Sequence, residues 1–406
     1  MSAPVIGQLD SEGFLRVSAA IDEPAADLAL SPRELELRGV ARDIAARHLV
    51  PRAAEVDEGH VFPSDGLRAL SAAGLGGLLF PEHLGGSGDS TVAYAAVMEE
   101  VTAACASTSL VFMTQMHAAY PILLAGSEDL QRSYVPGLLD GSRYGSLGIT
   151  EPDAGSDVSG LSTTARGTSE GWSLSGQKTF ITTGDRADVI ICFATVDRSL
   201  GRDGVTAFVL DGSWGGITRG RPFDKLGMHG SSTAELFFED VRIPRDHVLG
   251  RTGRGWGIVM GAVVKSRISA AAQGVGLARS AYGRAVDFLV HQHGPKLPDT
   301  VGAELAGMRS RILQGRLLLH AIARQVDSEG GTTPGQIGMM KQACTDLGWQ
   351  VAVETTALLG PHGDLAALGV ERALRDAKVT QIYDGTNEVQ RLLIGRETGR
   401  AFGRSS

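Results

Sequence analysis

Three heptad-like stripes near the C-terminus constrain the fold of this chain more than any other feature. Val275, Ala278, Tyr282, Ala285 and Leu289 advance by alternating steps of three and four. Leu305, Met308, Ile312, Gly315, Leu319, Ile322 and Val326 repeat that spacing, and Met340, Cys344, Leu347, Val351 and Leu358 continue it. Such steps put every apolar side chain on one face of a helix, and a face that long needs another helix against it. A shorter stripe, Val370, Ala373, Leu374 and Ala377, supplies a fourth element. Residues 246–406 are therefore expected to form an up-and-down, four-helix-type bundle able to pack against a second copy.

Upstream the texture differs. Short β-rich runs, Val189 to Val196, Val205 to Leu210 and Ala234 to Ile243, are separated by Gly/Asp turns, and Leu174-Ser175-Gly176-Gln177 reads as a hairpin. Residues 146–245 are thus expected to be a small antiparallel β-domain. Before them, Ser31-Pro32-Arg33-Glu34 gives an N-cap, Pro at N1 and Glu at N3. Leu37, Val40, Ala41, Ile44, Ala45 and His48 follow on one face, and a second helical pattern runs from Ser90 to Cys105. Residues 31–145 read as an all-helical domain, and residues 1–30 as a partly ordered tail. The expected class is α+β, mostly α: helical, then β, then helical bundle.

Composition excludes more than it selects. The 406 residues carry a net charge of −8 and no basic block, which argues against nucleic acid or anionic membrane as partner. The chain begins without a signal-peptide pattern and has no membrane-spanning run, so a cytoplasmic protein is expected. Cys105, Cys192 and Cys344 stand far apart in apolar contexts, as small core residues. His291-x-His293 lacks the accompanying ligands of a metal site, and none is expected.

The stretch RDAKVTQIYDGTNEVQR, residues 375–391, carries the sharpest local signal. A helix runs out at Tyr383-Asp384-Gly385-Thr386 and another begins near Val389. Asp384 has two readings at this level. It is an N-cap of the second helix, or a carboxylate aimed from a rigid corner into a cleft as a general base.

Four segments in order resemble the acyl-CoA dehydrogenase family of flavoproteins: LGITEPDAGSDVSG (147–160), GQKTFITTGDRADV (176–189), KLGMHGSSTAELFFEDVRIP (225–244) and the 375–391 stretch. The resemblance spans about residues 31–400 and implies the same helical, β, helical order. It implies FAD between the β-domain and the bundle, with a thioester substrate against the flavin. On the matching positions it implies Ile149 and Thr150 bonding to the flavin ring, Phe180 over one flavin face and Thr182 near the hydride-accepting nitrogen. It places Ser156 near the FAD pyrophosphate and the pantetheine arm, and Thr386 and Glu388 against FAD. Tyr383, Gly385, Ser156 and Arg267 would touch substrate, and Asp384 falls where many members carry the catalytic Glu. The family implies a homotetramer or homodimer, and an electron-transfer flavoprotein as redox partner.

The departures from the pattern are informative. Neither position where the family places its Glu carries one: the first is Asp384, the second Ser266, before Arg267. The Arg-x-x-Phe-Gly segment that reaches a neighbouring subunit's FAD is replaced by VHQHGPKLP (290–298), and a cross-subunit Gln by Ala357 ahead of Gly360-Pro361-His362-Gly363. Val264 replaces a pantetheine-contacting Asp, and His229 an Arg or Lys. His293 or His362 could supply the lost phosphate contacts, or be exposed loop residues. Arg267 could orient the base or pair with a helix carboxylate. The expected function is FAD-dependent α,β-dehydrogenation of an acyl thioester, on CoA or a carrier protein. A flavoprotein oxidase or monooxygenase acting on a non-thioester substrate is the alternative, and a non-catalytic member of the fold is the third.

Overall fold

The computed structural model describes residues 7, 9–21, 27 and 29–403. Its helices are α1 (Ser11–Ile21), α2 (Pro32–Ile44), α3 (Ala53–Glu58), α4 (Ser64–Ala72), α5 (Thr91–Ala104), α6 (Ala106–Ala125), α7 (Glu128–Leu139), α8 (Gly255–His293), α9 (Asp299–Val326), α10 (Pro334–Leu358), α11 (Val370–Thr380) and α12 (Asn387–Gly403). Between α7 and α8 lie β1 (Gly145–Gly148), β2 (Thr164–Gly167), β3 (Gly171–Thr182), β4 (Val189–Thr195), β5 (Val205–Asp211), β6 (Ile217–Arg219), β7 (Thr233–Pro244) and β8 (Val248–Leu249). Among the described residues no helix is long and apolar enough to cross a membrane.

The helix starts follow the residues that encode them. Ser31 Oγ accepts from the Glu34 N–H while Glu34 accepts from the Ser31 N–H, the reciprocal capping box read from the sequence. Thr333 and Gln336 repeat it at α10, with Pro334 at N1. The stripes of α8, α9 and α10 are buried as their spacing requires, Val275, Met308, Ile312, Cys344 and Val351 each at 2% exposure or less. α5 is buried at every position and α6 at nearly all, as helices apolar around their whole circumference must be.

The sheet order is β6-β7-β3-β2-β4-β5-β8, with β1 also on β4. Most pairs are antiparallel, but β1–β4 and β2–β4 run parallel, so the expected antiparallel domain is a mixed one. Residues 174–177 are not a hairpin. β3 continues through them, paired with β7 from Gly171↔Pro244 to Thr182↔Thr233, with a bulge between Leu174 and Gly176. A strand of equal length outweighs the local turn propensity, and Gly176 is needed because a Cβ there would lie 2.6 Å from Thr163. Alternate residues of β4 serve different cores. Val189, Ile191 and Phe193 join the large helical core, while Ile190, Cys192 and Ala194 join a smaller one inside the β-domain.

Within residues 1–30 a helix is described. This is α1, which buries Phe14 and Val17, and its Arg16 pairs with Asp287 of α8 at 2.6 Å. A helix of eleven residues is marginal on its own in water, but the face of α8 gives α1 something to cover.

Candidate active site

α11 ends at Thr380 and α12 begins at Asn387, so Gln381 to Thr386 form the corner between them. The cap of α12 is Thr386, whose Oγ1 accepts from the Val389 N–H at 3.3 Å. Asp384 is therefore not the cap. It takes φ +56° and Gly385 takes φ +89°, a left-handed pair that reverses the chain sharply. A non-glycine residue held there costs on the order of 1–3 kcal/mol, so the surroundings must enforce it.

They do so from three helices. Arg267 of α8 donates from Nε to the Asp384 carbonyl at 3.0 Å, and Gln390 of α12 donates to the Gly385 carbonyl at 2.9 Å. Asp346 of α10 accepts from Gln381 Nε2 and Asn387 Nδ2, both at 2.7 Å, gripping the corner before and after its bend. Lys341 Nζ reaches Asn387 Oδ1 at 2.9 Å. The Tyr383 hydroxyl donates to Gln273 Oε1, and Gln273 in turn donates to Ser109 Oγ at 2.8 Å. With its neighbours so fixed, the carboxylate of Asp384 is left with Oδ2 buried and without a hydrogen-bond partner.

Burial dominates the titration of the groups around this corner, with the Asp384 charge a smaller influence on each. Burial lowers the Arg267 guanidinium pKa, against the pull of the Asp384 charge. Lys341 is brought down to about 8 by burial, again opposed by Asp384. Burial pushes the Tyr94 and Tyr383 hydroxyls up, with Asp384 adding to both, and holds His117 below its ordinary value. His117 Nε2 is, like Asp384 Oδ2, buried without a partner. Tyr94, His117, Gln273, Lys341 and Asp346 were missed by sequence reasoning. Their signal was weak: each is a single polar residue in a helical stretch, and only the fold turns them toward one corner.

Arg267 engages the backbone carbonyl of Asp384, and no ion pair with a helix carboxylate is seen for it among the described residues. Ser266, at the other position where a base was sought, is buried with its hydroxyl bonded to the Val263 carbonyl at 3.1 Å. His229 lies 3.0 Å from Asp57, bonds the Lys225 carbonyl at 2.8 Å and stacks on His60. His362 packs on Phe288 at 5.1 Å, while His293 is exposed at the end of α8.

The β-domain presents the second set of residues. A second bulge in β3, between Lys178 and Ile181, turns Phe180 outward at φ +56°, where it stays 66% exposed beside Phe223. Thr182 is half-buried opposite Thr233. Ile149 and Thr150 follow β1 and are pinned to β3: Lys178 Nζ donates to the Ile149 carbonyl at 3.0 Å, and the Thr179 N–H to that of Thr150 at 2.9 Å. Burial alone would raise the Glu151 carboxyl, but the Lys178 ammonium, 2.6 Å away, and Ser162 hold it at about 2. Ser156 and Glu388 are exposed and Thr386 half-buried. An outward-facing aromatic on a rigid bulge, next to a pinned backbone segment, suits a planar ring such as a flavin.

Comparison with known proteins covers nearly the whole chain. The acyl-CoA dehydrogenase N-terminal domain matches residues 31–142, the middle domain 146–241 and the C-terminal domain 253–399. The human mitochondrial short-chain specific acyl-CoA dehydrogenase is 36% identical over 367 residues, 89% of each chain. The butyryl-CoA dehydrogenase of Megasphaera elsdenii superposes with a TM-score of 0.86 at 32% identity, covering 91% of this chain and 98% of that one. A prolyl acyl carrier protein oxidase superposes with a TM-score of 0.84 at 26% identity, covering 91% and 100%.

Proposed function

The chain belongs to the acyl-CoA dehydrogenase family, FAD-dependent oxidoreductases acting on CH–CH bonds, and from that premise we propose that Asp384 removes the α-proton of an acyl thioester. The observation that carries the proposal is the unpartnered Oδ2 of Asp384 in a corner tied down by Arg267, Gln390 and Asp346. A base with no competing donor is ready to accept a proton, and a fixed corner keeps it at one distance from the substrate.

As the proton leaves the α-carbon, negative charge develops on the thioester oxygen and calls for a donor such as the Asp384 N–H. Bound FAD supplies a hydride acceptor for the β-hydrogen, which completes the double bond. In this reading Phe180 covers a flavin face, Thr182, Ile149 and Thr150 bond its ring, and Thr386 and Glu388 lie against the cofactor. Ser156 faces the pyrophosphate and the pantetheine arm, while Tyr383 and Gly385 border the substrate. Arg267 acts as a positioning residue through the backbone. The carrier is CoA or an acyl carrier protein. An electron-transfer flavoprotein takes the electrons, and the chain works as a homotetramer or homodimer.

Anaerobic mixing of FAD-loaded protein with a panel of acyl-CoAs and carrier-bound acyl groups tests this. Flavin bleaching with a thioester, abolished in Asp384→Ala, is expected. Bleaching that survives Asp384→Ala removes Asp384 as the base. The absence of bleaching with every thioester favours the oxidase reading, which rests on Asp in place of Glu; rapid reaction of reduced flavin with oxygen would mark it.

A further inference from the structure

A cleft separate from this site lies where the end of α3, the α5–α6 junction, α8 and the start of α11 meet. Asp57, Ser280, Arg284, Gly369, Arg372 and Asp376 are among its lining residues. α11 begins here behind Gly369, which takes φ +66° and leaves the helix without a side-chain cap. The first N–H groups of α11 and the positive end of its dipole are thus unserved.

Two guanidinium groups gather at the same point. A Cβ on Gly369 would lie 2.9 Å from Arg372 Nη2 and 3.1 Å from Arg284 Nη1, so glycine is what lets both approach the helix start. They are 8% and 5% exposed, respectively. Among the described residues neither shows an ion pair. Arg284 has bonds of 3.4 Å to Ser280 Oγ and to the Leu368 carbonyl, and Arg372 Nη2 has no partner. Burial, reinforced by the neighbouring Arg372 charge, pulls Arg284 down to about 9. The nearby carboxylates are committed elsewhere: Asp57 to Arg375 at 2.5 Å and His229 at 3.0 Å, and Asp376 to the Met228 N–H.

We propose that this cleft binds one monovalent inorganic anion of halide size between Arg284, Arg372 and the N-terminus of α11. Two buried guanidinium groups without an ion pair, beside a helix start that has no side-chain cap and whose first-turn Glu371 is held by Arg375 at 2.7 Å, call for negative charge. Asp57 and Asp376, close by, repel a dianion more strongly than a halide, which selects the smaller charge. The ion serves as the missing cap of the helix whose far end carries the Asp384 corner.

The test uses the FAD-loaded protein at constant ionic strength, with chloride or bromide replacing gluconate. The expected result is a saturable rise in melting temperature, on the order of several degrees, that is lost in Arg372→Gln and Arg284→Gln. Crystals of the unaltered protein soaked in bromide should show an anomalous peak within hydrogen-bond reach of Arg372 Nη2. Superimposable chloride and gluconate melting curves would overturn the proposal. So would a rise that persists in both variants, or a bromide-soaked crystal with no peak in the cleft.

Discussion

Glu99 and Asp384 are both carboxylates inside the helical part of this protein, and they are treated in opposite ways. Glu99, fully buried on α5, accepts from Arg316 Nε at 2.9 Å and His320 Nε2 at 2.8 Å, with Arg279 at 3.5 Å. Its neighbour Glu100 is held by Arg279 at 3.1 Å and Arg42 at 3.0 Å. Burial would raise Glu99, but these cations outweigh it and keep the carboxyl at about 2. Asp384 has every neighbour fixed and its own Oδ2 left alone. One arrangement uses charge to join α2, α5, α8 and α9; the other keeps a charge available. A satisfied carboxylate is inert toward a substrate proton, whereas an unsatisfied one is costly to the fold and useful in a cleft.

The contrast is broken most directly at Asp384. Asp384→Asn should lower the rate of flavin reduction by roughly 10²–10⁴, the range for a lost general base, while thermal melting stays level or rises. A melting temperature that falls with the activity would make Asp384 a structural residue. Next comes Glu99→Ala, which strands buried cations and should cost about 3–5 kcal/mol of stability. Denaturant unfolding measures it, and activity per folded molecule should hold near its original value. Arg267→Met tests whether the corner needs its clamp: a fall in kcat of about a hundredfold is expected from a displacement near 1 Å, with Arg267→Lys restoring part of it. An unchanged kcat would remove Arg267 from the positioning set.

The smallest effect is on pH dependence. Glu99 has its folded pKa depressed from 4.5 to about 2. Its stabilising contribution is therefore present above pH 4.5 and is lost as pH falls toward 2. Acid unfolding monitored by circular dichroism should show this loss, and the Glu99→Ala variant should be less sensitive across that window. Equal acid sensitivity in the two proteins would mean that the ion cluster contributes nothing there.

Much of the architecture was legible beforehand, for reasons that differ by element. The capping boxes at Ser31 and Thr333 and the stripes of α8, α9 and α10 depend on residues close in sequence, so pattern suffices. The 174–177 segment was misread because turn propensity is local while its pairing partner, β7, lies some sixty residues away. α1 escaped notice because its partner is α8, more than two hundred residues on. At the candidate site, Asp384 and Tyr383 were singled out from the 375–391 stretch, and Arg267 from the resemblance at the Ser266-Arg267 pair. Tyr94, His117, Lys341 and Asp346 were not, since nothing local distinguishes them from other polar residues on helices.

By itself the sequence determined that this chain is helical, then β, then a helical bundle, because periodicity and caps act over a few residues. It also placed an aspartate and glycine at a corner between two helices. Only the tertiary structure decided that Thr386 caps the second helix, that Arg267 grips a carbonyl rather than a carboxylate, and that Asp384 Oδ2 is left unpaired. Those outcomes depend on which of several possible partners arrives from α8, α10 and α12, and packing of distant segments alone sets that.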